Sequence, residues 1–318
     1  MRILITGGAG LIGSYLAEKL VALNHQITVL DDLSVGKKEY LDNISSSTSF
    51  RFVEGSVLDI STLNQLTKNQ DVVFHLAASL GVQQILDRPL FSITTNLDGT
   101  KNVLEAASKS KTRVFIASTS EVYGKNTKVP FSEDDDRTVG PTSVRRWSYS
   151  ASKAMDEFLA LAYMQEHHLP VVITRLFNIV GPRQSTVWGF VLARFVERAL
   201  KNEPLIIFGD GTQRRCFGYV GDVVDAYARL LDCAKANGQV INLGSDEEIS
   251  INDLAKLVIQ ATGSKSKIEY QSYKMAYGDG FEDMMRRVPN LTKINQLVGW
   301  KPMTTLKEAI VKMMKAEL

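Results

Sequence analysis

Along the first 180 residues, short β-branched and aromatic runs alternate with longer stretches in which apolar positions recur every three or four residues. The runs at 2–6, 26–30, 50–54, 71–76, 112–117 and 170–176 read as strands, and 11–24 and 89–110 as helices. These strands are apolar on both faces, which a parallel sheet covered by helices on both sides requires. The pattern predicts an α/β fold: a doubly wound Rossmann sheet over 1–180, interleaved near its end with a smaller mixed α/β unit over 181–318. In that second unit the pattern predicts helices at 187–201, 222–236, 251–261 and 304–316. It also predicts strands at 205–208 and 239–243, and a Gly209-Asp210-Gly211 turn. Ligands of open α/β sheets bind beyond the strand C-termini, so a cleft between the units is the expected site.

Composition narrows the class. Hydrophobic residues are 44% and charged residues 23%, ordinary for a globular chain, and 37 Lys and Arg balance 35 Asp and Glu with no long run of one sign. Nucleic acid is therefore not an expected partner. No apolar run approaches the ~18 residues of a membrane span, and the opening MRILITGG leads straight into a strand rather than a signal peptide. The expectation is a cytoplasmic protein. Cys216 and Cys233 have neither CxxC spacing nor a neighbouring His cluster, and the four His residues lack metal-ligand spacing, so no metal site is expected.

The first strand runs into Gly7-Gly8-Ala9-Gly10-Leu11-Ile12-Gly13. In this spacing Gly7, Gly10 and Gly13 permit the tight turn, the approach of backbone to a pyrophosphate and close helix-to-strand contact, while the helix N-terminus faces the phosphates. Asp31, 18 residues after Gly13 at the end of the second strand, is placed to accept both ribose hydroxyls. Its carboxylate repels a 2′-phosphate, which selects NAD over NADP.

Tyr149-Ser150-Ala151-Ser152-Lys153 opens a helical stretch, and the four-residue spacing puts phenol and ammonium on one face. A phenol with pKa near ~10 needs adjacent positive charge before it accepts a proton at neutral pH. Lys153 and an oxidised nicotinamide supply that charge, and Lys153 is also placed to hold the nicotinamide ribose.

The segments TGGAGLIG, HLAAS, STSEVYG, YSASK, RLFNIVGPR and GDGTQRRCFGYVGD, in this order, resemble the extended short-chain dehydrogenase/reductase family, whose members modify nucleotide sugars. The resemblance implies a UDP-sugar or related substrate and an NAD that is reduced and regenerated within one cycle. It puts the family's catalytic Ser/Thr at Thr119, with Tyr149 as the base, Lys153 as its partner and Glu121 as a further catalytic candidate beside Thr119. On the cofactor side it sets Gly7, Gly10, Leu11, Ile12, Gly13, Asp31, Ser56, Val57, Leu76, Ala77, Ala78, Asn96 and Ser118. The chain departs from the family at Ser56, where many members carry Asp; Asp59 is the nearby substitute. Asn178, Arg215 and Arg287 match positions facing the diphosphate, with Arg214 and Arg286 beside them as possible replacements.

The residues flanking Thr119 bear on the reaction. Ser120 stands where a 4,6-dehydratase typically has its proton-donating Asp, which ranks dehydration third. Thr119-Ser120-Glu121 and Arg286-Arg287-Val288-Pro289 resemble UDP-glucuronate decarboxylases but also a branch of UDP-sugar 4-epimerases. The stretches 75–82, 180–184 and 188–190 resemble that epimerase branch, so C4 epimerisation ranks first and decarboxylation second. Arg183 either recognises a sugar carboxylate or braces its loop. An NAD-sensing protein without activity and an oxidoreductase that releases its cofactor are the readings from other classes; retained Thr119, Tyr149 and Lys153 weigh against the first. The helical faces at 98–108 and 151–163 resemble the family's four-helix dimer interface, so a homodimer is expected.

Overall fold

The computed structural model describes residues 1–186, 190–278 and 281–317. Seven parallel strands form the main sheet: β1 (Arg2–Thr6), β2 (Gln26–Asp31), β3 (Phe50–Glu54), β4 (Val72–His75), β5 (Arg113–Thr119), β6 (Val171–Leu176) and β7 (Val240–Leu243). Their order is β7-β6-β5-β4-β1-β2-β3. All are parallel, so Thr6, Asp31, His75 and Thr119 end at one edge of the sheet. The helices that position the site are α1 (Leu11–Ala22), α2 (Ile60–Thr67), α3 (Pro89–Ser110), α4 (Trp147–His167) and α5 (Val220–Leu231).

The crossing between the two units is wider than the interleaving expected near residue 180. Helix α5 packs in the same core as α1, β1 and β4, and β7 adds the seventh strand beside β6. The physical reason is visible in β7, whose Ile241, Asn242 and Leu243 are all buried and need the sheet to cover them. The predicted helix 222–236 ends at Leu231, and a separate 3-10 turn, Ala234–Ala236, follows.

A second core joins Leu192, Phe195 and Val196 to Leu254, Val258, Leu306 and Ile310. Around it, Leu205–Phe208 pairs in parallel with Ile268–Gln271, while Arg214–Cys216 lies between Glu248–Ser250 and Arg286–Arg287. The described part of the predicted 187–201 helix is Val191–Leu200; its expected start at Val187, and Trp188 and Gly189 of the 188–190 stretch, lie outside the described residues.

Candidate active site

One cleft of about 450 Å³ runs from the glycine turn after β1, across the ends of β4 and β5, to Arg215 and Arg287 in the second unit. At its near end Gly7 has φ +70°, and a Cβ there would lie 2.6 Å from the Ala77 amide nitrogen; one on Gly13 would lie 2.3 Å from the Gly7 carbonyl oxygen. Any side chain would close the turn. Helix α1 begins behind Gly10 with no side chain capping it, so its N-terminus presents backbone N–H groups to the cleft. Asp31 is buried and accepts hydrogen bonds from the Ala9 and Leu33 amides, both at 2.9 Å. Burial raises its pKa, against the pull of those two amides.

Gly7, Gly10, Leu11, Ile12, Gly13, Asp31, Ser56, Val57, Leu76, Ala77, Ala78 and Ser118 line the cleft. Two expectations change. Asp59 caps α2 through the Ser61 and Thr62 amides and is not among the lining residues. Asn96 also lies outside the lining. It is buried in α3, where its amide oxygen accepts from the Ser79 N–H at 2.8 Å and its nitrogen donates to the Ser79 carbonyl at 3.2 Å. Its visible work is to hold the loop after β4.

Thr119 ends β5, and Tyr149 lies in the first turn of α4; both line the cleft, and the Thr119 hydroxyl stands in hydrogen-bonding contact with the phenol. Burial drives the phenol well above its ordinary range, the charges of Glu121 and Asp156 push it further, and Thr119 and Arg287 pull it back. Lys153 departs from the expected arrangement. Its side chain is 2% exposed and its ammonium donates to Asp156 Oδ2 at 2.6 Å, one turn along the helix, rather than to Tyr149.

Beyond Tyr149 the cleft holds a string of alternating charges. Arg287 Nη1 donates to Glu121 at 2.8 Å, and Arg146 bridges Glu121 at 3.2 Å and Asp283 at 2.6 Å; Arg215 donates to both Asp283 oxygens at 3.0 Å. Tyr273 adds a hydrogen bond to Asp283 at 2.8 Å. Burial alone would raise the Glu121 pKa, but Arg146 and Arg287 outweigh it and hold the group ionised. Asp283 is likewise held well below the usual carboxylate range by Arg215 and Arg146 in spite of burial. Arg287 is brought down to about 10 by desolvation and by the charge of Arg215. The Nε atoms of Arg146 and Arg287 are buried without a protein acceptor. Both side chains line the cleft.

Among the remaining candidates, Asn178 lines the cleft and donates to the Cys216 carbonyl at 2.9 Å. Arg215 and Arg287 line it as well, whereas Arg214 and Arg286 turn to Glu248 at 3.2 and 2.8 Å and do not. Arg183 lines the cleft too: it pairs with Glu18 at 2.7 Å, donates to Ser14 at 3.1 Å and covers the Tyr15 ring. These contacts brace its loop on α1.

Sequence reasoning missed Arg146, Asp283 and Tyr273. Arg146 stands three residues before Tyr149, and Asp283 four before Arg287, so proximity to a motif was the available signal. Nothing local told an ion pair inside the cleft from one on the surface. Among the described residues, no group of His, Cys, Asp and Glu has the arrangement of a metal site.

Residues 4–314 match the family model described as GDP-mannose 4,6 dehydratase. The chain is 44% identical over 310 residues to a UDP-N-acetyl-alpha-D-glucosaminuronate decarboxylase of Bacillus cytotoxicus, covering 97% of this chain and 95% of that one. It is 34% identical to a UDP-glucose 4-epimerase of Mycolicibacterium smegmatis, covering 98% and 97%. Two solved structures share its fold. A UDP-glucose 4-epimerase of Thermotoga maritima with UDP-glucose has TM-score 0.90 and 30% identity over 100% of this chain and 98% of that one. A UDP-glucose 4-epimerase of Thermus thermophilus complexed with NAD has TM-score 0.84 and 29% identity over 99% and 98%.

Proposed function

Given that this chain belongs to the GDP-mannose 4,6 dehydratase family, within the extended short-chain dehydrogenase/reductases that modify nucleotide sugars, we propose that it is an NAD-dependent decarboxylase of a UDP-hexuronate. A 2-acetamido hexuronate is the first substrate to try, since the 44% identical relative is described as acting on one. This reverses the order reached from sequence alone, where epimerisation stood first.

The observation that carries the reading is the Arg146 guanidinium. A UDP-hexose brings a diphosphate, for which Arg215 and Arg287 are positioned. A hexuronate brings a further carboxylate, and Arg146, which lines the cleft three residues before Tyr149, is a further cation to meet it. The glycine turn leaves room only for backbone, and the uncapped α1 and Asp31 supply the donors and acceptor that NAD needs, so the residues fit the cofactor. Bound there, NAD would supply a reversible hydride acceptor for C4.

Tyr149 accepts the C4 hydroxyl proton, with Thr119 aligning the hydroxyl. At the ketone level the C5 carboxylate is β to a carbonyl. It leaves as carbon dioxide and its bonding pair passes into the enolate, which takes a proton from water at C5 to give the 4-ketopentose. Loss of carbon dioxide needs no acid at position 120, and Tyr149 gives its proton back to the C4 oxygen as the ketone is reduced. Glu121, held ionised between Arg146 and Arg287, keeps those guanidiniums in place rather than donating a proton.

Incubation with UDP-glucuronate, UDP-N-acetylglucosaminuronate and UDP-glucose, followed by NMR, tests this. Carbon dioxide and a UDP-pentose are expected from a uronate; a C4 epimer that keeps C6 would return epimerisation to first place.

A further inference from the structure

An α-helix turns about 100° per residue, so positions 149, 153 and 156 fall within roughly 60° of one another on a single stripe of α4. Tyr149 and Lys153 were expected on that stripe. Asp156 was not. Its side chain is fully buried, and its Oδ2 receives the Lys153 ammonium at 2.6 Å. An ammonium with 2% exposure needs a counter-charge. Glu157, the other acid at this level, is spent on Arg175 at 2.8 Å and on the Ser118 hydroxyl. Among the described residues, Asp156 is the carboxylate in contact with Lys153.

Behind Asp156 stands a line of buried polar groups. The Thr100 hydroxyl adjoins its carboxyl, His75 Nε2 meets the same hydroxyl at 3.1 Å, and His75 Nδ1 meets the Thr6 hydroxyl at 2.8 Å. Burial brings the His75 pKa down to about 3, so the imidazole stays neutral and the line adds no charge of its own. Thr6 is the last residue before the Gly7 turn. The line thus joins the strand that leads into the dinucleotide turn to the helix that carries Tyr149.

We propose that Asp156 is the positioning residue for Lys153 beside Tyr149, anchoring the ammonium from behind, with Thr100, His75 and Thr6 lined up between that anchor and the strand entering the glycine turn. The proposal rests on Tyr149 being the group that accepts the substrate proton. Asp156 acts through its charge. Tyr149 faces Glu121 and Asp156 as anions, Arg287 as a cation and Thr119 as a hydrogen-bond partner; Asp156 faces Lys153 and Glu157 on α4 and Thr100 on α3. Deleting the Asp156 charge removes one of two anions that oppose phenolate formation, so the phenol ionises at lower pH.

The test compares the pH dependence of turnover for the native enzyme, Asp156→Asn and Asp156→Glu. The acid limb should move down by about one pH unit in Asp156→Asn and return towards its native position in Asp156→Glu, because the latter restores the charge. Ultraviolet difference titration of Asp156→Asn against Asp156→Asn/Tyr149→Phe reads the same phenol without turnover, and it should show the same displacement. A lower rate with the limb and the phenol titration both at their native positions would overturn the proposal, leaving Asp156 a packing residue. If Asp156→Asn does not fold, Thr100→Val takes its place, with a smaller displacement in the same direction expected and none counting against the idea. Tyr149→Phe turning over like the native enzyme would instead sink the underlying reading.

Discussion

Tyr149 and Arg146 sit three residues apart and are assigned different tasks, which single substitutions separate. Tyr149→Phe removes the proton acceptor and nothing that contacts the cofactor turn. Turnover of a UDP-hexuronate should fall by about 10²–10⁴-fold while copurifying NAD, read by absorbance after denaturation, stays at the native level. Arg146→Lys keeps a positive charge but loses the planar fork that spans Glu121 and Asp283. It should lower kcat/KM for the uronate by roughly 10–100-fold, the range of one to two charge-assisted hydrogen bonds. UDP affinity by calorimetry should change little. Equal losses for UDP and for the uronate would place Arg146 on the diphosphate and remove the observation on which decarboxylation rests.

At the scale of elements, Asp283 couples the first turn of α4 to the strand Arg214–Cys216 through Arg146 and Arg215. Asp283→Asn leaves both guanidiniums short of a carboxylate, and the loss should be about 3–5 kcal/mol by urea unfolding, as for other broken buried pairs. The sign with pH follows from the depressed pKa values of Asp283 and Glu121. Their stabilisation is complete above the ordinary carboxylate range and is lost as pH falls through the lower folded values, so Asp283→Asn should flatten the acid decline of stability. The elements themselves were largely legible in the sequence. The glycine turn, Asp31, Thr119 and Tyr149 lie at strand ends or helix starts, where periodicity and spacing fix their places, and the sheet strands through β6 fall within two residues of expectation. Asp283 and Arg146 were not legible because they are 137 residues apart in the chain and meet only through tertiary packing. Lys153 shows the same limit: spacing put it on the right face, but which neighbour its long side chain reaches is decided by the buried Asp156. The boundary at 180 missed for a related reason, since β7 shows as a strand in sequence while the sheet it joins does not.

At the scale of the whole molecule, the open question is what covers α3 and α4. On α4, Ala151, Met155, Phe158 and Ala162 are exposed at helical spacing i, i+4, i+7, i+11, with Met155 49% and Phe158 60% exposed, and on α3 Leu90 is 78% exposed. The opposite side of the same helix carries Ser152, Lys153, Asp156 and Glu157, all buried. A helix whose inner side is already buried and whose solvent side carries an apolar stripe has a second surface to bury. We expect a second copy of this chain to bury it by packing α3 and α4 against their equivalents, a self-complementary contact that closes as a dimer. Light scattering at low micromolar concentration should give the mass of two chains, and Met155→Glu/Phe158→Glu should give one, because two carboxylates per protomer would face each other across the contact. Since Asp156 and Lys153 lie on the far side of this helix from Phe158, the double variant should still bind NAD. A native protein that runs as one chain at that concentration would leave the exposed stripe without its proposed cover.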